Sequence, residues 1–161
     1  MHFQASLDKT AIVLTVLVTV LFATIIGGQY ALISDAGRAL PIYTTVGCLA
    51  AYGLAFAFRP AGYVVTADEV IISRPLVDVH IRRADIKRVV ALPSRDIGGA
   101  IRLFGAGGFF GYYGKYANTL LGAMTWYATR RDTPVLLETT AGKKLILSPN
   151  APAEFVGALG A

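Results

Sequence analysis

Four adjacent pairs of cations, Arg82-Arg83, Lys87-Arg88, Arg130-Arg131 and Lys143-Lys144, are the residues of this 161-residue chain best suited to chemistry. The chemistry they suit is anion binding. From Pro60 onward the chain carries twelve Lys or Arg against eight Asp or Glu. Near an anionic leaflet each such cation contributes about 1 kcal/mol, so one basic face resting on lipid headgroups is the expectation they raise. An ordinary solvated face would account for the same charges, and no single pair marks a phosphoinositide-type pocket. Charge alone would also fit nucleic acid, but no recognition motif is present, so nucleic acid is not expected as a partner.

Catalytic constellations are missing. The two histidines, His2 and His80, lack the spaced Cys, His or carboxylate partners of a metal site. His2 sits in a terminal tail and His80 on the polar face of a predicted strand. No G-x-S-x-G elbow occurs. Asp78, Asp85 and Asp96 stand alone among arginines, a pattern of surface pairing rather than acid–base work. Trp126 reads as a core residue. Cys48 is the single cysteine, so there is no disulfide framework. The expectation is a non-enzyme with no metal and no cofactor.

The most unusual stretch, "RLFGAGGFFGYYGKYAN" (Arg102–Asn118), interleaves glycines with aromatic rings. As a phosphate loop it fails. The spacing G-x-G-x-x-G breaks at Phe110, and Gly114-Lys115 is followed by Tyr116 rather than Ser or Thr. Two readings remain, and they are compatible. Glycines within strands mark bends, bulges or close backbone approach, with Phe104, Phe109 and Tyr112 filling an interior. Alternatively, Phe109-Phe110 and Tyr112-Tyr113, beside Lys115, rest in the headgroup zone that aromatic rings favour.

The elements that must position these residues begin with two uncharged runs, Thr10–Ser34 and Ala39–Phe58. Hydrophobic residues make up 55 % of the chain and charged ones 16 %, against about 25 % charged in soluble proteins. Each run meets the roughly 20 residues needed to cross a bilayer as a helix. A cleaved signal peptide has a shorter apolar region, of about 7–15 residues, and a buried core helix would need more protein around it. The connector Asp35–Arg38 implies a tight hairpin with both chain ends on one side. Gly47, Ala51 and Ala55, at i, i+4 and i+8, suggest a small-residue contact with the first helix. Lys9 and Arg59 on the terminal side against Arg38 on the turn side, with the basic segment beyond, place the termini in the cytoplasm. The expected organisation is a tail at 1–9, a transmembrane hairpin at 10–59 and a domain at 60–161.

After Pro60 and Gly62 the pattern turns to strands. "YVVTADEVIIS" predicts a hairpin, Tyr63–Thr66 and Glu69–Ser73. "VDVHIRR" alternates with period two, "IKRVVAL" and "MTWYATR" follow, and "PVLLETTAGKKLILS" is a second hairpin about Ala141-Gly142. Asn150 is the predicted N-cap of a closing amphipathic helix, with Pro152 in its first turn and Glu154 near its positive end.

About seven strands followed by one helix is the order of a pleckstrin-homology (PH) fold. The segments "IRRADIKRV", "IRLFGAGGFFGYYGKY" and "LLGAMTWYATRRDTPVLLETTAGKKLILSPNAPAEFVGAL" resemble the small bacterial PH-domain family found in membrane proteins with two N-terminal helices. The resemblance implies an α+β membrane protein: a two-helix transmembrane hairpin, then a PH-like, partly open β-barrel capped by a C-terminal helix. It places the chain in a bacterial inner membrane, multi-pass, with the C-terminal domain in the cytoplasm. It supplies no function.

The candidate lipid- or partner-binding residues are Arg82, Arg83, Lys87, Arg88, Arg102, Phe109, Phe110, Tyr113, Lys115, Arg130 and Arg131. Because the anchor already secures attachment, lipid affinity would be redundant for recruitment. The expectation is therefore a non-catalytic adaptor for a protein partner or a second copy, with membrane lipid headgroups fixing its orientation. A lipid-sensing module is the alternative, and a non-catalytic subunit of a membrane enzyme complex a third.

Overall fold

The computed structural model describes residues 1–32 and 39–160; the expected connector Asp35–Arg38 lies outside them. Helices α1 (Lys9–Leu32) and α2 (Ala39–Ala57) coincide with the two uncharged runs. Asp8 starts α1. Its carboxylate accepts from the Ala11 amide at 2.7 Å and its carbonyl from the Ile12 amide at 3.0 Å, satisfying donors that every helix start leaves open. Both helices are long and apolar enough to cross a membrane. Only Ala11 in α1 and Pro41 in α2 are buried, so neither is the core helix of a globule.

The seam between the helices differs from expectation. Gln29 Nε2 donates to the Pro41 carbonyl and to Thr45 Oγ1, both at 3.2 Å, and Thr19 Oγ1 lies 3.2 Å from the Tyr52 hydroxyl. Gly47 and Ala51 are exposed, and nothing lies within 4 Å of a Cβ built on Gly47. Gly47 and Ala51 are thus on the outer arc, while Ala55, half-exposed, faces the domain. The polar pairs hold the inner one, because away from water such groups must find partners in the neighbouring helix.

Beyond the helices lie two sheets. The first is antiparallel in the order β1 (His2–Gln4), β2 (Gly62–Val65), β3 (Glu69–Ser73), β4 (Val79–Arg82). The second has the order β5 (Ile86–Ala91), β9 (Val135–Thr139), β10 (Lys144–Leu147), β8 (Gly122–Ala128), β7 (Tyr112–Asn118), β6 (Ile101–Gly107), with β8 and β10 its parallel pair. Helix α3 (Pro152–Gly160) follows. Ten strands appear among the described residues where about seven were expected. The additions are β1, too short at three residues to show a period, and β6 and β7, which the glycines disguise.

Strand β1 joins the residues ahead of α1 to the domain. His2, Phe3 and Gln4 pair with Val64, Tyr63 and Gly62. The terminal amine donates to the Val65 carbonyl at 2.6 Å, and Phe3 packs edge-on against Phe155 of α3 at 5.1 Å. Asn150, expected to cap α3, instead accepts from the Ser6 amide and hydroxyl at 3.0 and 2.8 Å. The helix begins one turn position later, with the Phe155 amide on the Ala151 carbonyl.

The second sheet is covered on both faces along β9 and β10. On one, Val135, Leu137, Leu145 and Leu147 pack against Tyr63, Val70, Ile72 and Phe155. The Tyr63 hydroxyl ties the sheets together, donating to the Tyr127 carbonyl at 2.6 Å and accepting from the Ser148 amide at 2.9 Å. On the other face Leu136, Ile146, Met124, Tyr112, Tyr116 and Trp126 are covered by Ala11 of α1 and by Ile97. Trp126 is fully buried, as its sequence context predicted, and stacks on Tyr116 at 4.3 Å.

Candidate functional site

The glycine-rich stretch is a β-hairpin whose tip reaches the helices. Gly105 and Gly114 face each other in register, both at positive φ (113° and 118°), and each leaves room only for hydrogen where the other strand's backbone passes. A Cβ on either would fall on a carbonyl oxygen opposite, so the two strands approach this closely only with glycine at both positions. A bulge between Arg102 and Phe104 shifts the register beside them.

At the tip, Phe109 and Phe110 enter between α1 and α2. Phe109 lies 6.5 Å from Phe22 and 5.4 Å from Tyr52; Phe110 lies 5.2 Å from Tyr52 and 5.5 Å from Phe56. The Phe110 amide donates to Thr15 Oγ1 at 3.0 Å. Phe110 holds φ at +56°, a conformation non-glycine residues rarely adopt, kept here by this packing. The Tyr113 hydroxyl donates to the Ala55 carbonyl at 2.6 Å, and the Leu76 amide to that of Ala57 at 3.1 Å. The domain therefore supplies the partners that the last turn of α2 lacks. Burial pushes the Tyr113 hydroxyl up to about 12, keeping it a neutral donor. The stretch bears out the reading of its glycines as bends within strands. It is a bent hairpin, and its aromatic tip docks on the helices. Phe104, expected inside, is 78 % exposed, because the tip rather than the strand supplies the anchoring rings.

The two sheets differ in width, and a groove results. The buried cluster between them draws on β9 and β10 but, among the described residues, on nothing from β6 or β7. The uncovered face of β6, β7 and β8 is the floor of a cavity of about 1330 Å³. Phe104, Ala106, Tyr113, Lys115, Thr125 and Tyr127 line it from these strands, β4 forms one wall, and the β9–β10 turn the far end. Leu14 and Val18 of α1, Leu54 and Ala55 of α2, and Phe58 close the helix end.

The charge on the lining is one-sided. Arg74, Arg82, Arg102, Lys115 and Lys143 face a single carboxylate, Asp85, which pairs with Arg82 at 3.8 Å. Lys115 Nζ donates to Thr125 Oγ1 at 2.8 Å, and the Arg102 guanidinium lies over Gly107, 2.9 Å from where a Cβ would sit. Arg74 donates to the Val77 carbonyl at 2.6 Å, with its guanidinium carbon 5.5 Å from the Phe58 ring and 5.7 Å from that of Tyr127. His80, also on the wall, lies 3.1 Å from Glu69.

Of the candidate binding residues named from the sequence, the groove gathers Arg82, Arg102, Phe109, Tyr113 and Lys115, with Phe110 behind Phe109. The others lie elsewhere. Arg83 reaches the Thr66 and Leu159 carbonyls, both at 3.3 Å, holding the end of α3. Lys87 faces Glu138 at 3.9 Å, and Arg88 is on the edge strand β5. Arg130 forms a two-pronged pair with Asp132, which holds that carboxyl below the usual range. Arg131 lies over Tyr112 and Trp126, on the opposite face of the sheet. Arg74, Phe104, Tyr127 and Lys143 also line the groove and were not among those candidates. Arg74 is a single cation before Pro75, with no neighbour to mark it.

Among the described residues no three His, Cys, Asp or Glu side chains come together as a metal site. Two packed open sheets followed by a C-terminal helix whose Phe155 enters the cluster between them are the architecture of the PH-like class. Residues 61–161 match the bacterial PH domain, and the chain belongs to that family. No curated protein and no solved structure matches it.

Proposed function

We propose that this is a non-catalytic module tethered in a bacterial inner membrane by its two helices, whose groove holds anionic headgroups of the surrounding leaflet. One observation carries the reading: a groove with five cations against one carboxylate opens beside the ends of both apolar helices. Leu14 is five residues beyond Lys9, so at about 1.5 Å per residue the groove begins within roughly 8 Å of the charged boundary. The domain sits on the cytoplasmic side, in keeping with Lys9 and Arg59 at the domain ends of the helices. Because the anchor makes recruitment unnecessary, the groove would serve recognition: it reports which lipids surround the hairpin.

The test uses the full-length chain, since β1 and Ala11 belong to the domain's packing. Nanodiscs of phosphatidylcholine are compared with nanodiscs containing phosphatidylglycerol, and hydrogen exchange is followed along β4, β6 and β7. Added protection in the anionic discs, lost in Lys115→Glu and Arg102→Glu, supports the reading. Identical exchange in both discs refutes it.

A second reading, as adaptor, is favoured by β6. It is the last strand of its sheet, and Ile101, Leu103 and Phe104 on it are 70, 65 and 78 % exposed. An apolar edge strand is a ready template for another chain. Cross-linking from Leu103→Cys in native membranes would show a partner or a second copy, and a lack of any adduct would argue against this reading.

A further inference from the structure

Resting on the headgroup reading, the geometry points to a more specific occupant: one whole anionic phospholipid, drawn sideways from the leaflet, with an acyl chain seated in the groove as well as its head. The lining is graded. At the helix end Leu14, Val18, Leu54 and Phe58 carry no charge, and Phe109 closes the corner. At the strand end stand Arg102, Lys115 and Lys143. Arg74 marks the junction, its guanidinium over Phe58 and Tyr127.

A headgroup alone leaves two features without a partner. The volume of about 1330 Å³ exceeds the roughly 300–1,000 Å³ of pockets that enclose compact ligands. The floor also presents Phe104, a ring 78 % exposed, beside apolar Ala106 and Tyr127. Burying apolar surface is worth about 25 cal/mol per Å², and only a chain reaching past the helix end would gain it. Conversely, a chain alone would leave Arg74, Arg102, Lys115 and Lys143 without an anion, since none of them pairs with a carboxylate among the described residues. An amphiphile with an anionic head fits both ends, and the helix end faces its source.

Native mass spectrometry of the full-length chain from neutral detergent, with added dioleoyl phosphatidylglycerol, dioleoyl phosphatidylcholine or glycerol phosphate, tests this. One phosphatidylglycerol per chain should be retained, at least tenfold more tightly than phosphatidylcholine. Glycerol phosphate in millimolar excess should not displace it. Val18→Trp, which fills the chain seat, and Phe104→Ser, whose exposed side chain can be changed without touching the core, should each weaken retention about tenfold. Lys115→Ala with Lys143→Ala should remove the preference for the anionic head. Far-ultraviolet circular dichroism checks that each variant keeps its fold.

If phosphatidylglycerol is preferred but glycerol phosphate displaces it, and Val18→Trp and Phe104→Ser bind as before, the chain seat is refuted while the headgroup reading stands. If neither lipid is preferred and the lysine variants change nothing, both fall. A polypeptide retained in the groove in place of lipid overturns the assignment as well.

Discussion

Replacing Phe110 by alanine should release the hairpin tip from the helices while leaving the barrel folded. Phe110 is 8 % exposed and meets Tyr52, Phe56 and Phe109 at 5.2, 5.5 and 4.7 Å. In the apolar layer of the proposed membrane span, lipid would refill the space left by the ring, so the full cost of burying Phe in water is not the relevant figure. What is lost is ring-to-ring attraction, about 0.5–1.5 kcal/mol per pair beyond area burial. Phe109 moves with the tip, so the two helix partners, Tyr52 and Phe56, set the cost at about 2 kcal/mol, or about thirtyfold in an opening equilibrium. The alanine retains the unfavourable positive φ, so no strain is relieved in compensation. The assay is hydrogen exchange of the full-length chain in nanodiscs, read at the Gly108 and Phe110 amides, which donate to the Gly111 carbonyl at 2.8 Å and to Thr15 at 3.0 Å. Exchange there should rise about thirtyfold, while the amides of β9 and β10, in the buried cluster, keep their protection. If exchange at the tip changed less than threefold, the tip would not be held by its rings. If β9 and β10 opened with it, tip and barrel would form a single cooperative unit, and the separation made here would be wrong.

Three further outcomes follow from the same geometry. Phe3→Ala removes the edge-on contact with Phe155 and should cost about 2 kcal/mol, since this ring is only partly buried; a thermal melt unchanged within a degree would show that β1 is peripheral. Gly114→Ala places a methyl on the Phe104 carbonyl at φ 118° and should prevent closure of β6 on β7, detected as rapid proteolysis between residues 101 and 118. Alkaline pH should destabilise the fold. Burial pushes the hydroxyls of Tyr63 and Tyr112 up to about 12, for Tyr112 with a further contribution from the Asp8 charge. A raised folded value means the unfolded chain gives up these protons first. Stability is therefore full below about pH 10 and falls as pH rises from 10 towards 12. A Tyr63→Phe variant that lost as much stability as the parent protein between pH 10 and 12 would contradict this.

How much of the site was legible in the sequence depends on the range of the interaction involved. Arg102, Phe109, Tyr113 and Lys115 were found because they lie within one odd stretch, close together along the chain. Arg74 was not, because its relevance comes from Phe58 and Tyr127, residues 16 and 53 positions away. Arg83 and Arg130 lie away from the groove, because adjacency in sequence does not fix direction. The backbone turns between Arg82 and Arg83 as β4 gives way to a 3-10 turn, sending one side chain to the groove and the other to the end of α3.

The sequence by itself determined the two apolar helices, the change to strands after Pro60, most strand positions and the closing helix. Each of these follows from hydrophobicity and turn residues summed over a short window, where neighbours along the chain are also neighbours in space. Only the tertiary structure decided that the residues before α1 form an edge strand of the domain, that the aromatic tip docks between the helices, and that a four-stranded sheet covers part of a six-stranded one. Those outcomes depend on which strands pair and in what order, a contest among distant segments for the same backbone hydrogen bonds and apolar surface. The groove exists because that contest leaves β6, β7 and β8 uncovered on one side.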